Sequence, residues 1–172
     1  MREFLRAYWF YIVVVVVLWV GLYLGGRYEL VRTPEGFGAM APALESGKFY
    51  LFRQYRGGRL RRGRIVCVRF ERLDSSGKVR LEERFARVAG LPGESVRLEK
   101  GRLVVNGQSV EEPYLPEPSH EGERERWGEL NTVEVLTPRG CVWLLNDDRL
   151  VRTDSRIYGA VPLRNVVALL EK

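Results

Sequence analysis

The chain has 172 residues, of which 45% are hydrophobic and 29% charged, enough for one ordinary folded domain and too apolar for a disordered tail. Eighteen Gly, eight Pro and 11% aromatic residues, scattered without a period, exclude collagen-like, low-complexity and solenoid architectures. The formal charge is +6, and all the basic residues except Lys48, Lys78, Lys100 and Lys172 are arginine, a side chain that cannot serve as a general base near neutral pH.

Ala7 to Gly26 is a run of twenty residues without a charge. At about 1.5 Å per residue it spans about 30 Å, the thickness of a bilayer core. Tyr8, Trp9 and Tyr11 near one end and Trp19 and Tyr23 near the other form aromatic belts. A cleaved secretory signal would have an apolar stretch of about 7–15 residues and a small-x-small site. Leu22-Tyr23-Leu24 stands where that site belongs, so the expectation is a retained transmembrane helix over 7–26, after a short flank at 1–6. Arg2, Glu3 and Arg6 before the run nearly balance Arg27, Glu29 and Arg32 after it, so charge alone barely sets the orientation.

Residues 27–172 read as an all-β domain of short antiparallel strands. Runs rich in Val, Leu, Phe and Tyr occur at 49–52, 64–70, 78–88, 95–98, 102–105, 133–136 and 142–145. Turn signals separate them, including Asp74-Ser75-Ser76-Gly77 and Leu91-Pro92-Gly93, and Asn106-Gly107 is a strong hairpin cue. Only the last dozen residues hint at a helical period. Residues 112–132, polar and proline-containing, form a long surface excursion.

The basic run Arg53, Arg56, Arg59, Arg61, Arg62, Arg64 contains no acidic residue. It reads as a solvated hairpin tip, with anionic lipid headgroups as its functional alternative and nucleic acid excluded from the expected partners. Arg59, Arg61 and Arg62 are the candidates for that contact. Cys67 and Cys141 lie far apart, without a CxxC or a histidine beside them, so no metal or other cofactor is expected. Both sit in strand-like apolar runs and read as buried free thiols, a disulfide being the alternative in an oxidising compartment.

The order of short motifs then resembles type I signal peptidases, membrane-anchored serine–lysine proteases that remove signal peptides from exported proteins. Gly38-Ala39-Met40-Ala41-Pro42-Ala43-Leu44 is similar to the family's first box, where serine follows glycine. Arg62-Gly63-Arg64-Ile65-Val66 matches its next strand, and Arg87-Val88-Ala89-Gly90-Leu91-Pro92-Gly93-Glu94 the box opened by the catalytic lysine and arginine. Val105-Asn106-Gly107 through Glu112-Pro113-Tyr114-Leu115 follows, and Asn146-Asp147-Asp148-Arg149 and Asp154-Ser155-Arg156-Ile157-Tyr158-Gly159 resemble the closing signature. Five boxes in order are specific where each alone is weak.

The chemistry implied by the resemblance is attack by a serine hydroxyl activated by a neutral, desolvated lysine. Here the serine position is Ala39 and the lysine position Ala86, and alanine supplies neither nucleophile nor proton acceptor. Phe37 stands where many members place an oxyanion-directed hydroxyl, and Arg152 where a serine usually sits near the amine. Ser46, Ser75, Ser76, Ser95, Ser109, Ser119 and Ser155 remain, with His120 the sole histidine, but most fall in turns or in the excursion. The resemblance further implies an ion-pair network of Arg87, Asp147, Asp154 and Arg156, and a groove near Gly38, Met40, Pro42 and Leu44 that takes an extended peptide by main-chain pairing. It also implies a single-pass protein of the cell membrane, with a cytoplasmic N-terminus and an extracytoplasmic β domain close enough to the bilayer for the basic run and Trp127 to touch lipid.

The expected function is that of a non-cleaving chaperone, scaffold or accessory subunit. Its partners would be the bilayer, through 7–26, and an extended segment or transmembrane helix of another membrane or secreted protein. Two alternatives stand beside it: an active signal peptidase with disguised chemistry or a disabled mutant of one, and an unrelated membrane-tethered structural β domain.

Overall fold

The structure, a computed structural model, describes residues 2–118 and 120–171, together with their side chains apart from those of residues 2–7 and 24. Ser119 therefore lies outside the described residues, as does Lys172. Helix α1 spans Arg2–Gly25 and so takes in residues 2–6 of the expected flank, Met1 lying outside the described residues. Every side chain described from Tyr8 to Tyr23 is exposed, and the main contact of α1 with the rest of the chain is with the first strand. Among the described residues no helix is long and apolar enough to cross a membrane.

The rest is mainly antiparallel sheet. Strands β1 (Tyr28–Arg32), β2 (Phe49–Gln54), β3 (Ile65–Leu73), β4 (Val79–Gly90), β9 (Cys141–Leu145), β10 (Val161–Pro162) and β11 (Val166–Leu170) form one sheet in the order β1-β2-β11-β3-β4-β9-β10. A smaller sheet joins β5 (Ser95–Glu99), β6 (Arg102–Val105), β7 (Gln108–Ser109) and β8 (Val135–Leu136) in the order β7-β6-β5-β8. Two short helices interrupt the strands, α2 (Glu121–Gly128) and α3 (Ser155–Tyr158). The expected hairpin at Asn106-Gly107 forms between β6 and β7, with φ of +48° and +77° as a tight primed turn demands.

The polar excursion is not structureless, since it carries α2. His120 caps that helix, its Nδ1 accepting from the Glu123 amide at 3.2 Å, which gives the sole histidine a structural task. The last dozen residues are not helical. A 3-10 turn at Leu163–Asn165 leads into β11, which pairs with both β2 and β3 and buries Val166, Ala168 and Leu169. A short apolar run does not distinguish helix from buried strand, and the open slot between β2 and β3 decides the outcome.

The period-2 alternation of β4 sends successive side chains into different cores. Ala86 and Val88 join Val66, Val68, Val142 and Leu144, whereas Phe85 joins Met40, Leu44, Phe52, Ile65 and Cys67. A third cluster couples the end of β4 and β9 to the smaller sheet through Ala89, Leu145, Val96 and Leu103. Gly90 closes this junction, for a Cβ there would lie 2.4 Å from Val96 Cγ2 and 2.9 Å from Thr137 Oγ1.

Both cysteines are free, Cys67 buried and Cys141 only half-buried. Burial pushes the Cys67 thiol up from 9.0 to about 12. Folding then holds a proton that the unfolded chain releases above its own pKa, so the stabilisation is complete below pH 9 and is lost as pH rises towards 12. Urea midpoints measured from pH 8 to 11 are expected to fall across that window, and to fall less in Cys67→Ala.

Candidate functional site

The loop between β1 and β2 carries the first box. Thr33 ties its two ends together, its amide donating to the Lys48 carbonyl at 3.0 Å and its hydroxyl to the Glu45 carbonyl at 2.5 Å. Within the loop the Ala41 amide donates to the Gly38 carbonyl at 3.1 Å and the Leu44 amide to the Met40 carbonyl at 2.9 Å. Met40 and Leu44 are fully buried, so they anchor the loop in the core and do not line a groove as expected. Gly38 and Pro42 are exposed. Phe37 is half-buried, its ring edge-on to Phe85 with centroids 5.8 Å apart.

Ala86 lies in the middle of the sheet, opposite Val66 and without exposed surface. The neighbouring residue, Arg87, is paired with Leu145, so the chain leaving β9 runs on past Ala86 as Asn146-Asp147-Asp148. The Asp148 amide donates to the Ala39 carbonyl at 3.0 Å. The segments bearing Ala39 and Ala86 thus converge on this turn.

The turn is held by buried charge. Arg87 grips both carboxylate oxygens of Asp147, with Nε to Oδ1 at 2.7 Å, and its Nη1 donates to the Gly63 carbonyl at 2.7 Å. Side-chain exposure is 9% for Arg87 and 1% for Asp147. Burial pushes the Asp147 carboxyl above its ordinary value, against the pull of Arg87. Tyr114 covers the Arg87 guanidinium at 3.8 Å and donates its hydroxyl to Glu112 at 2.8 Å, and Glu112 pairs with the buried Arg149. Asp154 pairs with Arg156 at 2.6 Å, caps α3 and accepts from the Asn146 amide at 2.9 Å. Arg156 Nη1 also donates to the Arg149 carbonyl at 2.6 Å, which links the two halves. The four residues expected as a network therefore form two ion pairs, joined through Arg149, Glu112 and Tyr114. Those three were visible only as motif letters, because a pairing across 37 residues leaves no local pattern.

Ser155 is buried and its hydroxyl accepts from the Leu144 amide at 2.9 Å, a structural role that leaves it no access to substrate. Arg152 is exposed and has no ion pair among the described residues. Beside it the Asn146 side-chain amide donates to the Thr153 hydroxyl and the Val151 carbonyl, both at 3.0 Å. Among the described residues no cluster of His, Cys, Asp and Glu is arranged to hold a metal ion. The expectation that the basic run is solvated is corrected at Arg62, which donates to both oxygens of Glu94 at 2.6 Å, and at Arg53, which pairs with Glu171. Trp127 is half-buried against Gly101 and does not stand out towards solvent.

Residues 1–171 match the family described as signal peptidase, peptidase S26. Signal peptidase I of Bacillus caldolyticus is 31% identical over 170 residues, covering 95% of this chain and 86% of that protein. Signal peptidase IB of Staphylococcus aureus is 26% identical over 91% of this chain and 84% of its own length. For signal peptidase I of Leptolyngbya laminosa, 33% identical, the match spans 49% of that protein. A crystal structure of a signal peptidase I from Enterococcus faecalis aligns with a TM-score of 0.49 at 24% identity, over 66% of this chain and 98% of that one. On the match along nearly its whole length, this chain belongs to the signal peptidase family, peptidase S26.

Proposed function

We propose that this member of the family binds an extended peptide segment at a membrane surface without cutting it, as a chaperone, scaffold or accessory subunit. The observation that carries the reading is alanine at both positions 39 and 86, in a framework whose buried ion pairs and turns are intact. Loss of a serine nucleophile alone costs about a millionfold in turnover in another serine protease. Main-chain pairing to an extended ligand needs neither side chain.

The membrane part of the proposal is that α1 is the anchor. Its apolar side chains between Tyr8 and Tyr23 that the structure describes are exposed, with Trp9 at 60%, Val15 at 64% and Leu22 at 78%, and such a stretch needs an apolar surrounding that the described residues do not supply. The stretch 8–23, whose side chains are described, reaches about 24 Å and falls short of a bilayer core of about 30 Å, so the proposed span draws on the remaining length of Arg2–Gly25, about 36 Å in all. The family's arrangement then puts the N-terminus in the cytoplasm and the β domain outside.

The test is a fluorescent peptide with a small-x-small site, titrated into the full chain in detergent while product is followed. Saturable binding with no product is expected. Product from the unaltered chain overturns the non-cleaving reading. One observation favours a second reading, a plugged groove: the Phe37 ring packs on Phe85 beside the first box. Under that reading the native chain stays silent and only Phe37→Ala binds.

A further inference from the structure

Two adjoining hollows, of about 310 and 270 Å³, open where α1 meets the β domain. They share Arg53, Arg59 and Leu169, one adding Arg61 and Arg64 and the other Arg27 and Arg56. Among the described residues Glu171 is the only acidic one on their walls. Local structure gathers these cations. Gly57 and Gly58, at φ of +91° and +107°, turn the chain after β2 through a bend that side chains resist, and Tyr55 fixes that bend by donating its hydroxyl to the Gly58 carbonyl at 2.6 Å. The turn sends Arg59 and Arg61 out on either side of the buried Leu60.

Most of the surrounding arginines are already engaged. Arg53 pairs with Glu171, Arg64 donates to the Leu170 carbonyl at 2.8 Å, Arg56 caps the carbonyl of Gly26, and Arg27 lies 4.7 Å over the Tyr23 ring. Arg59 and Arg61 are exposed and have no ion pair among the described residues. A cluster with this surplus of positive charge is self-repelling unless an anion joins it, and guanidinium groups match the oxygens of a phosphoryl group two at a time. The contacts of Arg56 to Gly26 and of Arg27 to Tyr23 fix the hollows at the foot of α1.

We infer that these hollows bind a phosphoryl anion, and that its source is the headgroup of an acidic phospholipid in the leaflet that α1 leaves. Arg59 and Arg61 are the recognising cations, Arg27, Arg53, Arg56 and Arg64 set the field, and Leu60 and Leu169 form an apolar floor. The lipid source rests on the reading of α1 as an anchor. The anion site does not, and neither depends on peptide binding.

The test titrates the full chain, in a neutral maltoside detergent, with dihexanoyl phosphatidylglycerol, dihexanoyl phosphatidylcholine and inorganic phosphate, by calorimetry. Because these probes are soluble, failure of the anchor or of the peptide groove would not disturb the result. Phosphatidylglycerol is expected to bind, and Arg59→Gln/Arg61→Gln to weaken it about thirtyfold. The charge-matched Arg102→Gln/Arg139→Gln is expected to stay within about twofold, and added salt to weaken the native chain more than the first variant. Equal binding of phosphatidylcholine, or an unchanged affinity in Arg59→Gln/Arg61→Gln, overturns the site. Inorganic phosphate binding as tightly as phosphatidylglycerol overturns the lipid source.

Discussion

Introducing Ala39→Ser and Ala86→Lys together is expected to give a chain that cleaves a small-x-small preprotein, whereas the native chain and Ala39→Ser alone give no product. Position 86 has no exposed surface and packs among Val66, Val68, Val88 and Leu144, so an amine placed there loses its hydration. Desolvation lowers a lysine pKa by up to about 3–5 units, which brings a free amine into the neutral range. Arg84, two residues back on the same face of β4 and paired with Glu82 at 2.7 Å, adds a like charge on that side. Without a base the serine hydroxyl stays protonated, which is why the single substitution fails.

The rescued activity is expected to remain about 10²–10³-fold below that of an intact enzyme, because Phe37 offers no hydroxyl to the oxyanion, and adding Phe37→Ser should recover much of that factor. The buried lysine also marks the variant thermodynamically. Its folded pKa lies below the unfolded value of about 10.4, so over that window the unfolded chain holds more protons and stability rises with pH. Preprotein cleavage assays across pH, with urea melts alongside, read both effects. A folded double variant that neither binds nor cuts would remove the open groove and with it the peptide-binding proposal.

What the sequence made legible follows from how local each signal is. The turn at 74–78 was readable because Asp74 accepts from the amides of Ser76 and Lys78, at 2.8 and 3.0 Å, entirely within five residues. The long β3–β4 hairpin was readable from its alternation, although its outer part, with Leu73, Val79 and Leu81 more than 60% exposed, reaches past the expected end at residue 70. β1 went unrecognised because Tyr28–Arg32 is a mostly exposed edge strand without a clean apolar face. α2 went unrecognised because its sequence, EGERERWG, buries no residue and has no apolar stripe. At the site, the motif letters located Ala39, Ala86 and Arg87. They did not show that Met40 and Leu44 point into the core, nor that Glu94, 32 residues away, claims Arg62. Facing and partnering are settled by which elements pack together, and a box of consecutive letters does not contain that information.

The buried network makes the second large prediction. Asp147→Ala is expected to cost about 3–5 kcal/mol in a urea unfolding measurement, against a total of about 5–15 kcal/mol for a domain of ordinary stability. The loss arises from what is left behind: Arg87, 9% exposed and covered by Tyr114, keeps only the Gly63 carbonyl and cannot reach water to recover its solvation. Two comparisons separate this cause from simple contact loss. The exposed pair Arg69–Glu83, at 2.6 Å with side chains 39% and 36% exposed, should cost about 0–1 kcal/mol when Glu83→Gln breaks it. The apolar double replacement Arg87→Met/Asp147→Leu should regain much of the loss, because it removes both buried charges rather than stranding one. Asp147→Ala matching Glu83→Gln would mean that the pair is solvated, and the account of the turn would fall with it. Because the Asp148 amide holds the Ala39 carbonyl, the same substitution should weaken peptide binding at urea concentrations where the chain is still folded. Binding left intact in the folded variant would separate the network from the groove and confine its role to stability.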